Sequence, residues 1–388
     1  MDDYVSQWLE EQKAAGTLRK LVPHERIRGG RIKLVSGAEA AGPLWDFSSN
    51  DYLALTEHPE VIKKSREFLE QYGAGAGAAR LMSGDNNLNH LLEESIAKLK
   101  GKESALVFGS GYMANIGVLP ALAGRGDVIF TDRLNHASIY DGCKLSGAQM
   151  QRFQHNDVNH LEELLRDKRG KGRALIVVES IYSMDGDRCP LRDLVAIKNK
   201  YSCQLMVDEA HATGVFGSNG GGVIQEEGVV DQVDIAMGTF GKALGSYGAY
   251  IAASHDMVQF LINKARSFVY STALPPAVIG ASLAAVKVVE KGEALRRELF
   301  AKVGVFKDAL RENGIGGDFG PSQIVPVLIG DVAKAVNAAL SLRRQGVFAT
   351  AVRPPTVPKG TSRLRFSVTR HLPDEVLKET AHLLGRIL

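Results

Sequence analysis

Cysteine is scarce in this chain. Cys143, Cys189 and Cys203 are the only three in 388 residues, widely spaced and with no CxxC pair, which excludes a disulfide framework and a zinc cluster. Long hydrophobic runs are missing too: none approaches the roughly 18–20 apolar residues that span a bilayer. The opening MDDYVSQWLEEQKAAG is acidic and amphipathic, without an apolar signal core. Nor does either sign of charge dominate, since 47 basic residues against 44 acidic ones leave a formal charge of +3. That balance gives no reason to expect nucleic acid or a membrane surface as a partner. The expectation is a cytoplasmic globular protein with no metal site.

What is present is a regular alternation. Residues 1–45 read as an amphipathic helix followed by a basic extended stretch, HERIRGGRIKLVSG. Beyond FSSNDYL, short β-branched runs alternate with helical stretches. The predicted strands are Ala105–Phe108, Val128–Thr131, Ala174–Val178, Leu205–Val207, Ile235–Met237 and Ala249–Ala252. The predicted helices are Asn86–Lys100, Met113–Ala123, Val158–Asp167 and Leu191–Tyr201. This is the pattern of an α/β fold with a mostly parallel sheet. After Pro275–Pro276 one long helical region runs to about residue 313, and the remainder reads strand, helix, strand, helix. Because single cores seldom outgrow about 250–300 residues, a large domain over 46–290 and a smaller C-terminal α/β domain over 291–388 are expected. The basic loop RDKRGKGR at 166–173 reads as a solvated connection, with a docking patch as the minor alternative.

The chemistry begins at Lys242. Between Asp234 and Asp256 it is the only Asp, Glu, Lys or Arg, set in IAMGTFGKALGSYGAYIAAS. Burial there would favour the neutral amine, a nucleophile toward an aldehyde; a snorkelling lysine is the plain alternative. Asp208, in QLMVDEAHATGV, directly follows an apolar strand, the position at which open α/β sheets bind ligands. There it could face a protonated pyridine nitrogen, as pyridoxal 5′-phosphate (PLP) requires, with His211 within reach of the ring hydroxyl; helix capping would also account for Asp208. In ALVFGSGYMANIG a strand runs through Gly109-Ser110-Gly111 into a helix, a junction suited to a phosphate or to an ordinary tight turn, and Thr239 could add a hydroxyl. His136 (TDRLNHASIYDG) and Ser183 (VESIYSMDGD) follow two further strands, as a stacking ring and a hydroxyl donor or as structural residues. Four strand ends each bringing one suitable group is the pattern of a cofactor crevice.

Two other motifs compete. Asp208-Glu209-Ala210-His211 spells a helicase-type DEAH box, but the GxxxxGK-Ser/Thr phosphate loop such a box works with is missing. Gly109-x-Gly111-x-x-Ala114, with Asp132 about 20 residues further on, matches the looser dinucleotide fingerprint. It makes a nicotinamide-dependent oxidoreductase the second reading, one that leaves Lys242, Asp208 and His211 without a role.

The chain resembles the α-oxoamine synthases, fold-type I PLP enzymes, nearly end to end. The resemblance rests on FSSNDYLAL, FGSGYMAN, DRLNHASIYDG, RFQHNDVNHLE, ESIYSMDGD, LMVDEAHATGV, GTFGKALGSYGAY, YSTALPP and RPPTVPKGTSRLRFSVT. It implies a large PLP domain and a small C-terminal domain, with PLP held by Lys242. It further implies Asp208 on the ring nitrogen, His211 and Ser183 on the ring oxygen, and His136 stacked on the ring. Gly111 and Tyr112 backbone, together with Thr239, would serve the phosphate. Arg19, Asn50, His136, Thr356 and Arg365 fall at substrate positions, Arg365 as the carboxylate clamp for which a guanidinium fork is suited. The implied reaction is decarboxylative condensation of L-alanine with a pimeloyl thioester on acyl carrier protein or coenzyme A, with glycine and acetyl-CoA as a sibling alternative. A homodimer is implied, YSTALPP at 270–276 reaching the neighbour's phosphate. The chain departs from close relatives around GAARLMSGDNNLNH, where Asn89 replaces a histidine, which bears on the acyl pocket.

Overall fold

The computed structural model describes residues 2–35 and 42–388. Ser36 and Gly37, at the end of the extended N-terminal stretch, lie outside the described residues. The chain forms two compact units, residues 53–183 with 188–297, and residues 1–52 with 184–187 and 298–388.

The larger unit is built on a seven-stranded sheet. Its strands, in chain order, are β1 (Ser104–Phe108), β2 (Val128–Asp132), β3 (Gln149–Phe153), β4 (Ala174–Glu179), β5 (Gln204–Asp208), β6 (Ile235–Thr239) and β7 (Ala249–Ala253). The spatial order is β1-β7-β6-β5-β4-β2-β3, all parallel except β7, which runs antiparallel to both neighbours. β2, β4 and β7 are buried at every position, as expected of strands covered on both faces. Their β-branched runs made them legible from sequence. β3 was not, because it is an edge strand whose Gln149, Met150, Gln151 and Arg152 are only partly buried or exposed. Leu106, Val118, Ile129, Val177, Met206, Ile251 and Phe268 form one continuous core cluster.

Helix ends follow side-chain chemistry. Ser110 caps the helix Gly111–Leu122 by accepting from Met113 N–H, and Asp157 caps Val158–Lys168 through His160 N–H. Gly101, in the left-handed region at φ 63°, closes Asn87–Lys100. The region read as one long helix is two, Pro276–Glu290 and Glu293–Glu312. Gly292, buried between them with its N–H on Val289 O at 2.9 Å, supplies the break that an unbroken apolar pattern conceals.

In the smaller unit, His24–Ile27, Arg31–Leu34 and Leu44–Asp46 make an antiparallel meander, and Val347–Phe348 joins it by pairing parallel with Trp45–Asp46. This pairing ties the N-terminal segment to the C-terminal residues. No local pattern reveals a contact between residues some three hundred positions apart. A second sheet orders Ile324–Gly330, Ser362–Ser367 and Thr350–Val352 antiparallel. Phe47, Phe306 and Phe366 pack with ring centroids 5.3–5.6 Å apart. No helix among the described residues is long and apolar enough to cross a membrane.

One buried ion pair braces the sheet of the larger unit. Lys100 Nζ donates to Glu209 Oε2 and Gly221 O, and the two side chains are 1% and 0% exposed. Glu209 also accepts Ile224 N–H at 2.9 Å. Removing one partner strands the other charge in the core, so Glu209→Ala should lower unfolding free energy by about 3–5 kcal/mol. Chemical denaturation of the purified chain measures this, and a loss under about 1 kcal/mol would show that the pair is not dry.

Candidate active site

β1, β2, β4, β5 and β6 point their carboxyl ends to the same edge of the sheet, and each delivers a polar group there. Asp208, the last residue of β5, is 5% exposed. Its Oδ1 accepts Ala210 N–H at 2.9 Å and its Oδ2 accepts Asn115 Nδ2 at 3.2 Å. His211, three residues on, places Nε2 3.0 Å from Lys242 Nζ.

Lys242 is half-buried in the loop joining β6 to β7. That loop is closed by backbone bonds: Phe240 N–H to Gly248 O, Ser246 N–H to Phe240 O, and Gly245 N–H to Lys242 O, all at 2.8–2.9 Å. Gly245 has φ 61°, and a Cβ there would stand 2.4 Å from Thr56 N. Only glycine fits, so the loop geometry that aims Lys242 is fixed by its sequence.

His136 starts the helix Ala137–Ser146. Its Nδ1 lies 2.8 Å from Ser138 Oγ, and its backbone N–H donates to Glu179 Oε1 at 2.5 Å. Burial lowers the pKa of this imidazole below its ordinary 6.5, with the Asp208 charge opposing and that of Lys242 adding to the shift. Glu179, the last residue of β4, is paired in register with Asp208. Burial and then the Asp208 charge push its carboxyl well above the usual range, Lys242 opposing. Ser183 follows β4 and is buried.

At the end of β1, Met113 N–H goes to Ser110 Oγ and Ala114 N–H to Ser110 O. The N–H groups of Gly111 and Tyr112 therefore stand ahead of the helical ladder. A Cβ on Gly111 would lie 2.9 Å from Thr239 Cγ2 and 3.0 Å from Met237 Cε, so a side chain there would fill the cradle. The Tyr112 ring is itself exposed, its hydroxyl bonded to Asp141. Thr239 Oγ1 is buried without a hydrogen-bond partner among the described residues.

The remaining predicted residues belong to the smaller unit, where they form two hydrogen-bonded pairs. Arg365, 8% exposed, donates to Ser367 Oγ at 2.8 Å, to Asn50 Oδ1 at 3.2 Å and to Tyr52 Oη at 3.5 Å. Arg19 Nη2 donates to Thr356 Oγ1 at 2.9 Å. Sequence reasoning passed over Asn115 and Glu179. Both are signalled only by position, Asn115 as an amide inside an otherwise apolar helix and Glu179 as an acid closing an apolar strand.

The chain matches the model of the aminotransferase class I and II family over residues 43–384. It belongs to that family, and within it to the α-oxoamine synthases, PLP enzymes of fold-type I. It is 46% identical to the 8-amino-7-oxononanoate synthase of Geobacter sulfurreducens over 98% of this chain and 96% of that one. To the enzyme of the same name from Citrifermentans bemidjiense it is 47% identical, with the same coverage, 98% and 96%. Among solved structures, the serine palmitoyltransferase of Sphingomonas wittichii superposes with TM-score 0.92 at 30% identity, over 100% of this chain and 96% of that one. The 8-amino-7-oxononanoate synthase of Francisella tularensis superposes with TM-score 0.76 at 27% identity, over 88% and 97%.

The residues present fit PLP on three counts. Asp208 is a buried carboxylate at a strand end, held by an amide and a backbone N–H, the acceptor that a protonated ring nitrogen requires. Thr239 offers a buried hydroxyl lacking a partner, and Gly111 keeps open a cradle beside it at a helix N-terminus.

Thr239→Val keeps the shape and removes only the unpartnered hydroxyl. The cofactor-free chain should melt at the same temperature or slightly above, while the PLP dissociation constant rises about tenfold or more, since a hydrogen bond to a charged group is worth about 1.5–3 kcal/mol. Calorimetry and fluorescence titration measure the two; unchanged affinity would remove Thr239 from the phosphate site.

Glu179→Gln tests the electrostatics. Because the folded pKa lies above the ordinary 4.5, the wild-type contribution to stability is full below pH 4.5 and is lost as pH rises through the folded pKa. The glutamine retains an acceptor for His136 N–H and does not ionise. The cofactor-free variant should therefore melt above wild type at pH 8, the gap closing toward pH 4.5. A gap that widens on acidification would reverse the assignment.

Proposed function

We propose that the chain condenses L-alanine with a pimeloyl thioester, releasing carbon dioxide and free thiol and forming 8-amino-7-oxononanoate, the biotin-pathway product for which its relatives are named. The observation that supports this most is the single carboxyl edge that carries Lys242, His211, Asp208, Glu179, His136 and Thr239, in a chain 46–47% identical to those relatives.

PLP, when bound, supplies an electron sink for the pair left on the amino-acid α-carbon. Lys242 would hold its aldehyde carbon, Asp208 its ring nitrogen, and His211 with Ser183 its ring oxygen. Thr239 and the N–H groups of Gly111 and Tyr112 would hold its phosphate, with the His136 ring, uncharged at neutral pH, stacked on its face.

Arg365 is assigned the alanine carboxylate, because a planar guanidinium fixed by Asn50, Tyr52 and Ser367 meets a carboxylate through two parallel N–H bonds. Asn50, Arg19 and Thr356 are assigned to substrate recognition beside it. The Lys242 amine takes the α-proton, with His211 Nε2 at 3.0 Å as its hydrogen-bond partner. In the net change the alanine α-carbon bonds to the acyl carbonyl, the thioester C–S bond breaks, the carboxylate leaves as carbon dioxide and the α-carbon takes up a proton in its place; the α-proton and one solvent proton together supply that hydrogen and the one on the released thiol. The functional form is taken to be a homodimer, with acyl carrier protein or coenzyme A as acyl carrier.

A thiol-release assay crossing alanine, glycine and serine with pimeloyl, acetyl, succinyl and palmitoyl thioesters tests the assignment. Alanine with pimeloyl thioester should give the highest kcat/KM. Best turnover with glycine and acetyl-CoA would replace it by a sibling reaction.

A further inference from the structure

We propose that His155, oriented by Asp132, is a positioning residue that fixes the loop bearing Ser183 against the strand end bearing His136. This rests on the PLP reading above, and it gives a physical role to the segment RFQHNDVNHLE, which the reaction itself leaves unused.

Asp132 closes β2 and is fully buried. Its carboxylate is surrounded by N–H donors. Oδ1 accepts Leu134 N–H at 2.8 Å and faces His155 Nδ1 at 2.9 Å, while Oδ2 accepts Asn156 N–H at 2.8 Å. Since a carboxylate only accepts, the imidazole proton sits on Nδ1. Asn156 reaches Asp132 from φ 54°, a left-handed conformation that asparagine tolerates better than most residues. The loop after β3 is thereby folded back onto the end of β2.

From there the contacts divide. The His155 ring meets Tyr182 edge to face, with centroids 4.4 Å apart and planes at 87°. Tyr182 is 1% exposed and directly precedes Ser183. Asn156 Nδ2 donates to Arg188 O at 3.2 Å, and Arg188 is bridged to Ile181. Ser183 is therefore preceded by two residues, Ile181 and Tyr182, each tied to the same loop. On the other side, the bond from Leu134 N–H to Asp132 and that from Asn135 N–H to Asp132 O, at 3.2 Å, set the turn that ends at His136. His155 acts on the cofactor groups through Tyr182 and Asp132. Misplacing it would shift Ser183 and His136 together.

The test uses the full chain with and without PLP. His155→Phe keeps a ring edge toward Tyr182 and removes the Nδ1 donor; His155→Asn keeps a donor near that position. For His155→Phe we expect the PLP dissociation constant, by fluorescence titration, to rise roughly tenfold. The cofactor absorbance maximum should move and kcat fall, with KM for alanine within about twofold because Arg365 is untouched. His155→Asn should recover most of the affinity. PLP affinity within twofold of wild type and an unmoved absorbance band in His155→Phe would overturn the proposal, whatever happens to the melting temperature. Should His155→Phe not fold, His155→Gln, whose donor is displaced by one methylene, is read the same way. Borohydride reduction of wild-type holoenzyme with peptide mapping separates the two readings. An unlabelled Lys242 defeats both, whereas a labelled Lys242 with an indifferent His155 defeats this one alone.

Discussion

Everything at the carboxyl edge of the large sheet is organised around one buried charge. Asp208, at 5% exposure, has exchanged water for an amide, a backbone N–H and the field of its neighbours. An ionised carboxylate in that setting is tolerable only with donors and a compensating positive group. Register then forces a second acid, Glu179, directly beside it. Two carboxylates side by side at low dielectric resist ionising together, and the Glu179 pKa is pushed up by burial and by the Asp208 charge. The same burial lowers the pKa of the His136 imidazole. The result is a buried carboxylate at a strand end, with an acid and an imidazole whose charged forms are disfavoured beside it and an amine nearby. That arrangement suits a cationic ring.

Rigidity comes from different devices at each strand end. The loop holding Lys242 is closed by its own backbone and by glycines that no larger residue could replace. The β1 end relies on a serine-capped helix whose leading N–H groups stay free of the ladder. The β2 and β4 ends lean on side chains, Asp132 and His155 among them. Loops would ordinarily place such groups less accurately than strands do. Here each is pinned within a few residues of a buried strand, so the reach over which error accumulates is short.

Much of this was readable in the residues. Lys242 announced itself as an isolated charge in an apolar segment, and Asp208 as an acid closing an apolar strand. Both signals are local in sequence. Asn115 and Glu179 were not readable, since their meaning depends on which strands are neighbours, and β4 pairs with β5 only in the folded sheet. The edge strand β3 escaped because half-exposed positions carry no apolar run. The break at Gly292 was hidden by apolar periodicity on both sides of it. The union of Trp45–Asp46 with Val347–Phe348 lies beyond any window that reads local pattern.

Asp132 shows how fold context decides between two readings of one motif. As the acid about twenty residues beyond Gly109-x-Gly111-x-x-Ala114, it could serve as the ribose ligand of a dinucleotide enzyme. That role needs a carboxylate with accessible lone pairs at the mouth of a crevice. In the fold it is fully buried and accepts two backbone N–H groups while facing an imidazole. No ribose hydroxyl reaches it without breaking the loop after β3. The glycines of the same motif, by contrast, keep open a cradle beside an unpartnered threonine hydroxyl, which suits a lone phosphate as well as it would a pyrophosphate. The fingerprint is thus satisfied in its phosphate half and contradicted in its ribose half. A cofactor with one phosphate and no ribose fits both facts.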